Sequence, residues 1–305
     1  MNLSERPAQE RASTSTRDGT PDGFGLSGRS IVLDRRIHAV RGDVADIALA
    51  GVLFAPHYAR AMRRRCIVPI AAMREAPGDD AELISELLHG EAFDILDLSG
   101  GWAWGYSAHD HYVGYVREDV LGLGDPPAWR VSVRAADLLN APAAGASVKR
   151  RLSLGALVNG VVDDAWLATA DGWIALAALA PSDTSDRDPV AIAEQMIGAP
   201  YLMAGRSVDG IDCSGLIQIA LSFAGILAPR DSDLQAEALG MALAPGTPLR
   251  RGDLVFFPGH VGMMADDILL LHANGHAGAV SLEPLADATA RMEPEIAAAM
   301  TARRL

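Results

Sequence analysis

The rhythm of apolar and polar positions changes near residue 182. Upstream, short runs alternate with a period of two at 66–71, 92–98, 101–107 and 112–117, separated by Gly, Asp and Pro, and predict the strands of a small barrel. A second series at 131–133, 147–148, 155–162, 165–169 and 172–175 predicts another. Gly-Trp recurs in both, as Gly101-Trp102 and Gly172-Trp173, each after a turn and leading into a strand, a weak echo of duplicated modules. Downstream of a polar segment with a proline at each end, Pro181 and Pro189, the period becomes helical. Residues 190–197 predict one helix. Leu216, Ile217, Ala220, Leu221 and Ala224 predict a second that opens at Cys213 and runs through Gly225. Strands follow at 253–257, 260–264, 268–272 and 279–282, and a broken helix is predicted over 284–305. Helices first and an antiparallel sheet afterwards describe an α+β layer.

The divisions are a disordered or extended tail over 1–28, a segment over 29–125 containing the first barrel, a second barrel over 126–182, and an α+β domain over 188–305. Residues 44–53 predict a short helix with no recognisable chemistry. The tail is too polar and aperiodic to bury much surface. It lacks the basic start and apolar stretch of a secretory signal, so the expected location is cytoplasmic.

At 305 residues the chain is long for a single core, and half of it is apolar without a run long enough for a membrane span. The net charge of −13 argues against nucleic-acid and anionic-membrane partners, and no obligate protein partner is evident. Two distant cysteines, Cys66 and Cys213, do not make a disulfide framework. Arg63-Arg64-Arg65 reads as a solvated strand edge. No phosphate-binding Gly-x-x-x-x-Gly-Lys loop occurs and no cofactor is implied. His109 and His111 flank Asp110, but alternate residues on a strand need further ligands that are not evident, so no metal is expected.

Chemistry concentrates at Cys213, His260 and His272. Cys213 stands at a helix start, where the dipole and unpaired amides favour a thiolate, and an imidazolium–thiolate resting pair is expected. His260 follows the tight turn Pro258-Gly259, and His272 lies 12 residues later. On a hairpin the two rings share a face, supplying a base and the group that orients it. Singly, a cysteine is more often a small core residue and a histidine a satisfied polar one; the joint pattern with its glycines reverses that weighting.

Asp212-Cys213-Ser214-Gly215-Leu216, Arg251-Gly252-Asp253-Leu254-Val255-Phe256-Phe257, Gly259-His260-Val261-Gly262 and His272-Ala273 resemble the NlpC-type cell-wall cysteine peptidases, which are papain-like in fold. The strong similarity covers about residues 188–290, and both upstream barrels resemble bacterial SH3-like domains. Val113-Gly114-Tyr115-Val116 is the better match. The combination resembles the subgroup that cleaves γ-D-glutamyl-L-diamino-acid bonds of murein peptides, cytoplasmic in several cases. The resemblance implies Cys213 as nucleophile, His260 as general base and His272 as its orienter, with His276 the weaker alternative in a Gly-flanked turn. It implies a murein tri- or tetrapeptide substrate whose free L-Ala amine meets Asp231 in Pro229-Arg230-Asp231-Ser232. Arg230 and Ser232 flank that carboxylate, and Tyr201, Asp212 and Ser214 match positions lining the same pocket. Helix capping competes with substrate contact for Asp231 and Asp212, and core packing for Tyr201. Tyr112 of the first barrel, with Glu91 a weaker candidate, would close the groove. The rival readings are a papain-like amidase or acyltransferase, or a non-catalytic SH3-like wall-binding protein.

Overall fold

The computed structural model describes residues 33–185 and 187–305; the tail expected over 1–28 lies outside them. Seven strands form one antiparallel sheet in the order Leu83–Leu88, Ile70–Arg74, Val113–Arg117, Trp102–Ser107, Ala92–Ser99, Met62–Cys66 and Leu121–Gly122. Its inward positions, among them Met73, Leu87, Phe93, Val116 and the ring of Tyr112, make one core. Alternation is visible in Ile70–Arg74 and Val113–Arg117, where every second residue is buried.

Two expectations upstream are corrected. The strand expected over 66–71 is the junction of two, Met62–Cys66 and Ile70–Arg74, with Pro69 between them, because a proline lacks the amide that a continuous ladder needs. The helix expected over 44–53 is instead a strand, Val44–Asp46, paired in parallel with His57–Ala59, and a single 3₁₀ turn, Ile47–Leu49. Asp46 caps that turn through the Ala48 amide, and Gly51 at φ +87° follows it, so the apolar residues never complete an α-helical face. The Arg63-Arg64-Arg65 run lies on the Met62–Cys66 strand, and Arg63 forks onto Asp94 at 2.7 and 2.8 Å.

Strands between Trp129 and Pro181 make a second all-β unit of a three-stranded and a five-stranded sheet. Its apolar side chains Val131, Leu154, Leu167 and Ile174 are continuous with Leu216 and Ile219 of the helix Cys213–Ser222. The unit therefore buttresses that helix.

The remainder packs the helices Pro189–Glu194, Cys213–Ser222 and Ser232–Ala238 against a six-stranded antiparallel sheet. The sheet order is Met241–Ala242, Thr301–Arg304, Leu254–Phe257, His260–Met264, Leu269–Asn274 and Ala279–Pro284. The C-terminal residues depart from expectation. Two short helices, Leu285–Ala290 and Pro294–Ala298, give way to the strand Thr301–Arg304, which pairs with Leu254–Phe257 and is pinned by Arg304 on Asp253 at 2.6 Å.

A buried polar knot joins the first barrel to the Cys213 helix. Arg206, only 2% exposed, donates to Glu91 at 2.8 and 3.1 Å, to the Glu86 carbonyl at 2.7 Å and to Gln218 at 3.0 Å. Gln218 in turn donates to Asp110 at 2.8 Å. Burying a guanidinium is tolerated only where its donors are all taken up, as here. His109 also meets Arg206, at 3.1 Å, so the His109-Asp110 pair serves this junction. Among the described residues no group of three or more His, Cys, Asp or Glu is placed to hold a metal ion. Among the described residues no helix is long and apolar enough to cross a membrane.

Candidate active site

Asp212 caps the Cys213–Ser222 helix by accepting from the Gly215 amide at 2.6 Å, and it ties down the preceding turn through the Ala204 amide at 2.9 Å. A side chain on Gly215 would run into the Gly205 carbonyl, its Cβ falling 2.6 Å from that oxygen, so only glycine lets the turn fold this tightly over the helix start. Arg230 forks onto Asp212 at 3.0 and 2.6 Å and donates to Ser214 at 2.9 Å and Ser85 at 3.0 Å. It is 1% exposed. Arg230 therefore supports the pocket wall from behind instead of lining the pocket, which corrects the expectation of a substrate contact.

Cys213 is itself buried, and the amides of Ser214 and Val261 face its sulfur. Burial pushes the thiol up to about 11, and the Asp212 carboxylate also opposes ionisation, more than the two amides offset. Burial and the neighbouring His272 push His260 down to about 4. The expected imidazolium–thiolate resting pair is thus replaced by a neutral thiol and a neutral imidazole, because desolvation outweighs the helix terminus. The connection between Cys213 and the His260 strand runs through the Val261 amide, with no hydrogen bond between thiol and ring.

The histidines lie on a diagonal of the sheet. Phe257 pairs with His260 across the Pro258-Gly259 turn, with Gly259 at φ +73°. Met263 pairs with Leu271, which offsets His260 and His272 diagonally on one face. Gly262 between them leaves room: a Cβ there would fall 3.2 Å from that of His272. His260 Nε2 lies 2.8 Å from His272 Nδ1.

One strand further along the same diagonal, Glu283 Oε1 lies 2.8 Å from His272 Nε2 and receives Arg291 at 2.5 Å. Arg291 and His272 both hold the Glu283 carboxyl below its usual range, so it is ionised and can only accept. His272 Nε2 must then carry its proton and Nδ1 must accept from His260 Nε2–H. The free lone pair of His260 is left on Nδ1. Asn274 Nδ2 also approaches His272 Nε2, at 3.0 Å, but has Ser281 Oγ at 2.8 Å as an acceptor, so the carboxylate decides the tautomer. Glu283 was not anticipated. His276 is exposed in the turn beyond Asn274 and does not take the orienting place.

Asp231 occupies the N-cap position of the Ser232–Ala238 helix, yet its side chain makes no capping bond. It accepts instead from Tyr112 Oη at 3.0 and 3.2 Å, which brings the first barrel onto this carboxylate. Arg36 Nη1 adds a contact at 2.8 Å. Burial pushes the Asp231 carboxyl up, against the pull of Tyr112, Arg230 and Arg36. Tyr201 is half-buried and bridges Ile211, two residues before Cys213, and burial raises its hydroxyl. Ser214 is buried under Arg230, and Ser232 is half-buried at the helix start. Glu91 belongs to the Arg206 knot instead of the groove, correcting its candidacy.

Residues 73–121 match the bacterial dipeptidyl-peptidase SH3 domain family, and residues 198–294 match the NlpC/P60 family. Dipeptidyl-peptidase 6 of Lysinibacillus sphaericus is 27% identical over 263 residues, covering 77% of this chain and 96% of that protein. The γ-D-glutamyl-L-lysine dipeptidyl-peptidase of Bacillus cereus is 33% identical over 113 residues, 34% of this chain and 33% of that one. A crystal structure of an NlpC/P60 family protein from Bacillus cereus shares the fold, with a TM-score of 0.66 at 21% identity over 80% of this chain and 99% of that one. With an SH3 domain set ahead of an NlpC/P60-family domain, a helix-and-sheet layer that carries the cysteine and both histidines, the chain is a cysteine peptidase of the NlpC/P60 type.

Proposed function

We propose that this peptidase hydrolyses the bond between γ-D-glutamate and an L-diamino acid in murein peptides that carry a free N-terminal L-alanine. The observation that carries this reading is the half-buried Asp231 carboxylate, held by Tyr112 of the first barrel and left unused as a helix cap. A carboxylate there pairs with an ammonium group and rejects an acylated amine, which would leave it buried without a partner. On this reading Tyr112 of the barrel, held on Asp231, closes the substrate site at that end, so that a dipeptide on the acyl side is accepted and a glycan-linked stem is not.

In this reading Cys213 is the nucleophile and His260 the general base. Because thiol and imidazole rest neutral, the thiol proton passes to His260 Nδ1 as sulfur attacks the γ-carbonyl carbon. The Cys213 amide at the helix start receives the oxyanion; one such donor lowers a barrier by about 3 kcal/mol. His260 then gives its proton to the departing amine of the diamino acid. Water activated by the same nitrogen cleaves the thioester and releases L-Ala-D-Glu. His272 keeps His260 in the working tautomer, and Glu283 keeps His272 in its own. Peptides of this kind are products of wall turnover, which fits a role in cytoplasmic recycling.

The test is to incubate the enzyme and its Cys213→Ala variant with L-Ala-γ-D-Glu-diaminopimelate, with and without N-acetylation. The expected outcome is L-Ala-D-Glu from the free peptide and wild-type enzyme only, read by mass. Equal cleavage of the acetylated peptide would remove Asp231 from amine recognition. No cleavage of either would remove the substrate class.

A further inference from the structure

The carboxylate assigned to the substrate ammonium already holds a cation of the chain itself. Arg36 lies in the turn following Asp34, 195 residues before Asp231, and reaches it through Nη1 at 2.8 Å. The rest of the same guanidinium is engaged elsewhere. Nε and Nη2 hold Asp34 at 3.1 and 2.8 Å, and Nη2 and Nη1 hold Asp233 at 2.8 and 3.0 Å. One positive charge therefore serves three carboxylates, Asp34, Asp231 and Asp233.

Two consequences follow from that stoichiometry. The cluster keeps a net charge of −2, three carboxylates less one guanidinium, so a second cation entering it is attracted. Arg36 also gives up only its Nη1–Asp231 bond if it yields Asp231, since Asp34 and Asp233 retain it, and its side chain is 38% exposed, so water can take up the freed Nη1–H. Tyr112 stays on Asp231 throughout, from a different element.

We propose that Arg36 is a resident stand-in for the substrate's N-terminal ammonium, exchanged for it on Asp231 and kept in reserve by Asp34 and Asp233, and so a residue that sets specificity and apparent affinity. This rests on the amine-recognition reading above. Arg36 keeps the buried carboxylate satisfied, and every productive peptide must compete with it. A peptide without a free amine has nothing to offer in exchange for the bond that Arg36 surrenders.

Steady-state kinetics of Arg36→Gln and Arg36→Lys on L-Ala-γ-D-Glu-diaminopimelate test the exchange, with thermal unfolding of each variant as a check of folding. For Arg36→Gln, KM is expected to fall about fivefold while kcat stays within about twofold, the size of one partly exposed ion pair. Arg36→Lys, which restores a competing cation, is expected to keep KM near wild type. A KM that rises in Arg36→Gln and returns with lysine would make Arg36 a prop for Asp231 and overturn the exchange. An unchanged KM in a folded Arg36→Gln would overturn it too. The acetylated peptide separates the two levels: if wild type cuts it as well as the free peptide, the amine reading fails, whereas an amine-selective wild type with no fall in KM sinks the exchange alone.

Discussion

The two clusters of the candidate site are built differently. The His260–His272–Glu283 series comes from three neighbouring strands of one sheet, so backbone pairing alone sets the spacing of its members. The Asp231 end is assembled from Arg36, Tyr112 and the start of the Ser232–Ala238 helix, three segments that meet only because the barrel docks on the catalytic layer. In the function proposed above, chemistry is thus secured locally, and substrate choice by long-range assembly. Damage to the first should lower turnover on every substrate; damage to the second should erase discrimination and leave turnover of a poor substrate as it was.

The largest effect expected is on the assembled end. Asp231→Asn should reduce kcat/KM on the free-amine peptide by about thirtyfold or more, the cost of about 2 kcal/mol for losing a half-buried charge partner. Whatever residual cleavage of the acetylated peptide wild type shows should be unchanged in the variant. A matching loss on both peptides in a progress-curve assay would put Asp231 into the chemistry and dissolve the contrast. On the sheet, Glu283→Gln should lower kcat about tenfold on both peptides with little change in KM, because an amide no longer dictates which nitrogen of His272 carries the proton. A change confined to KM would rule out that tautomer relay.

The smallest and sharpest test is the pH profile. With His260 depressed to about 4, the base is free above that value and lost as the pH falls through it, so the acid limb of kcat should lie near 4 instead of near 6.5. With the thiol raised to about 11, iodoacetamide labelling of Cys213 should keep accelerating as pH rises beyond 8. An early plateau of labelling near neutrality would restore the thiolate–imidazolium pair.

The sequence carried the local end well. Cys213, His260 and His272 sit in short motifs whose helix start, Gly-containing turn and hairpin are each visible from a few residues. Glu283 was within reach as well: once His272 pairs with Ser281, the residue two further on shares its face, but that needs the register that residues 275–278 impose. Arg36 offered no such handle. It lies in an aperiodic stretch, and nothing short of the docked barrel brings it to Asp231. The misread elements have the same origin. Residues 44–53 and 301–304 take their form from distant strands, His57–Ala59 and Leu254–Phe257, and their own periodicity does not reveal those partners. Arg230 and Asp231 are neighbours in sequence, yet the chain direction at the helix start sends the first side chain inward onto Asp212 and the second outward to Tyr112.

The sealed Arg206 junction makes the first barrel more than a tether. A fragment beginning after it would strand a guanidinium against hydrocarbon, since the acceptors Glu91 and Glu86 would leave with the barrel. Excision of that module should therefore be felt first as heat sensitivity and stickiness of the remaining half, before any question of what it binds arises.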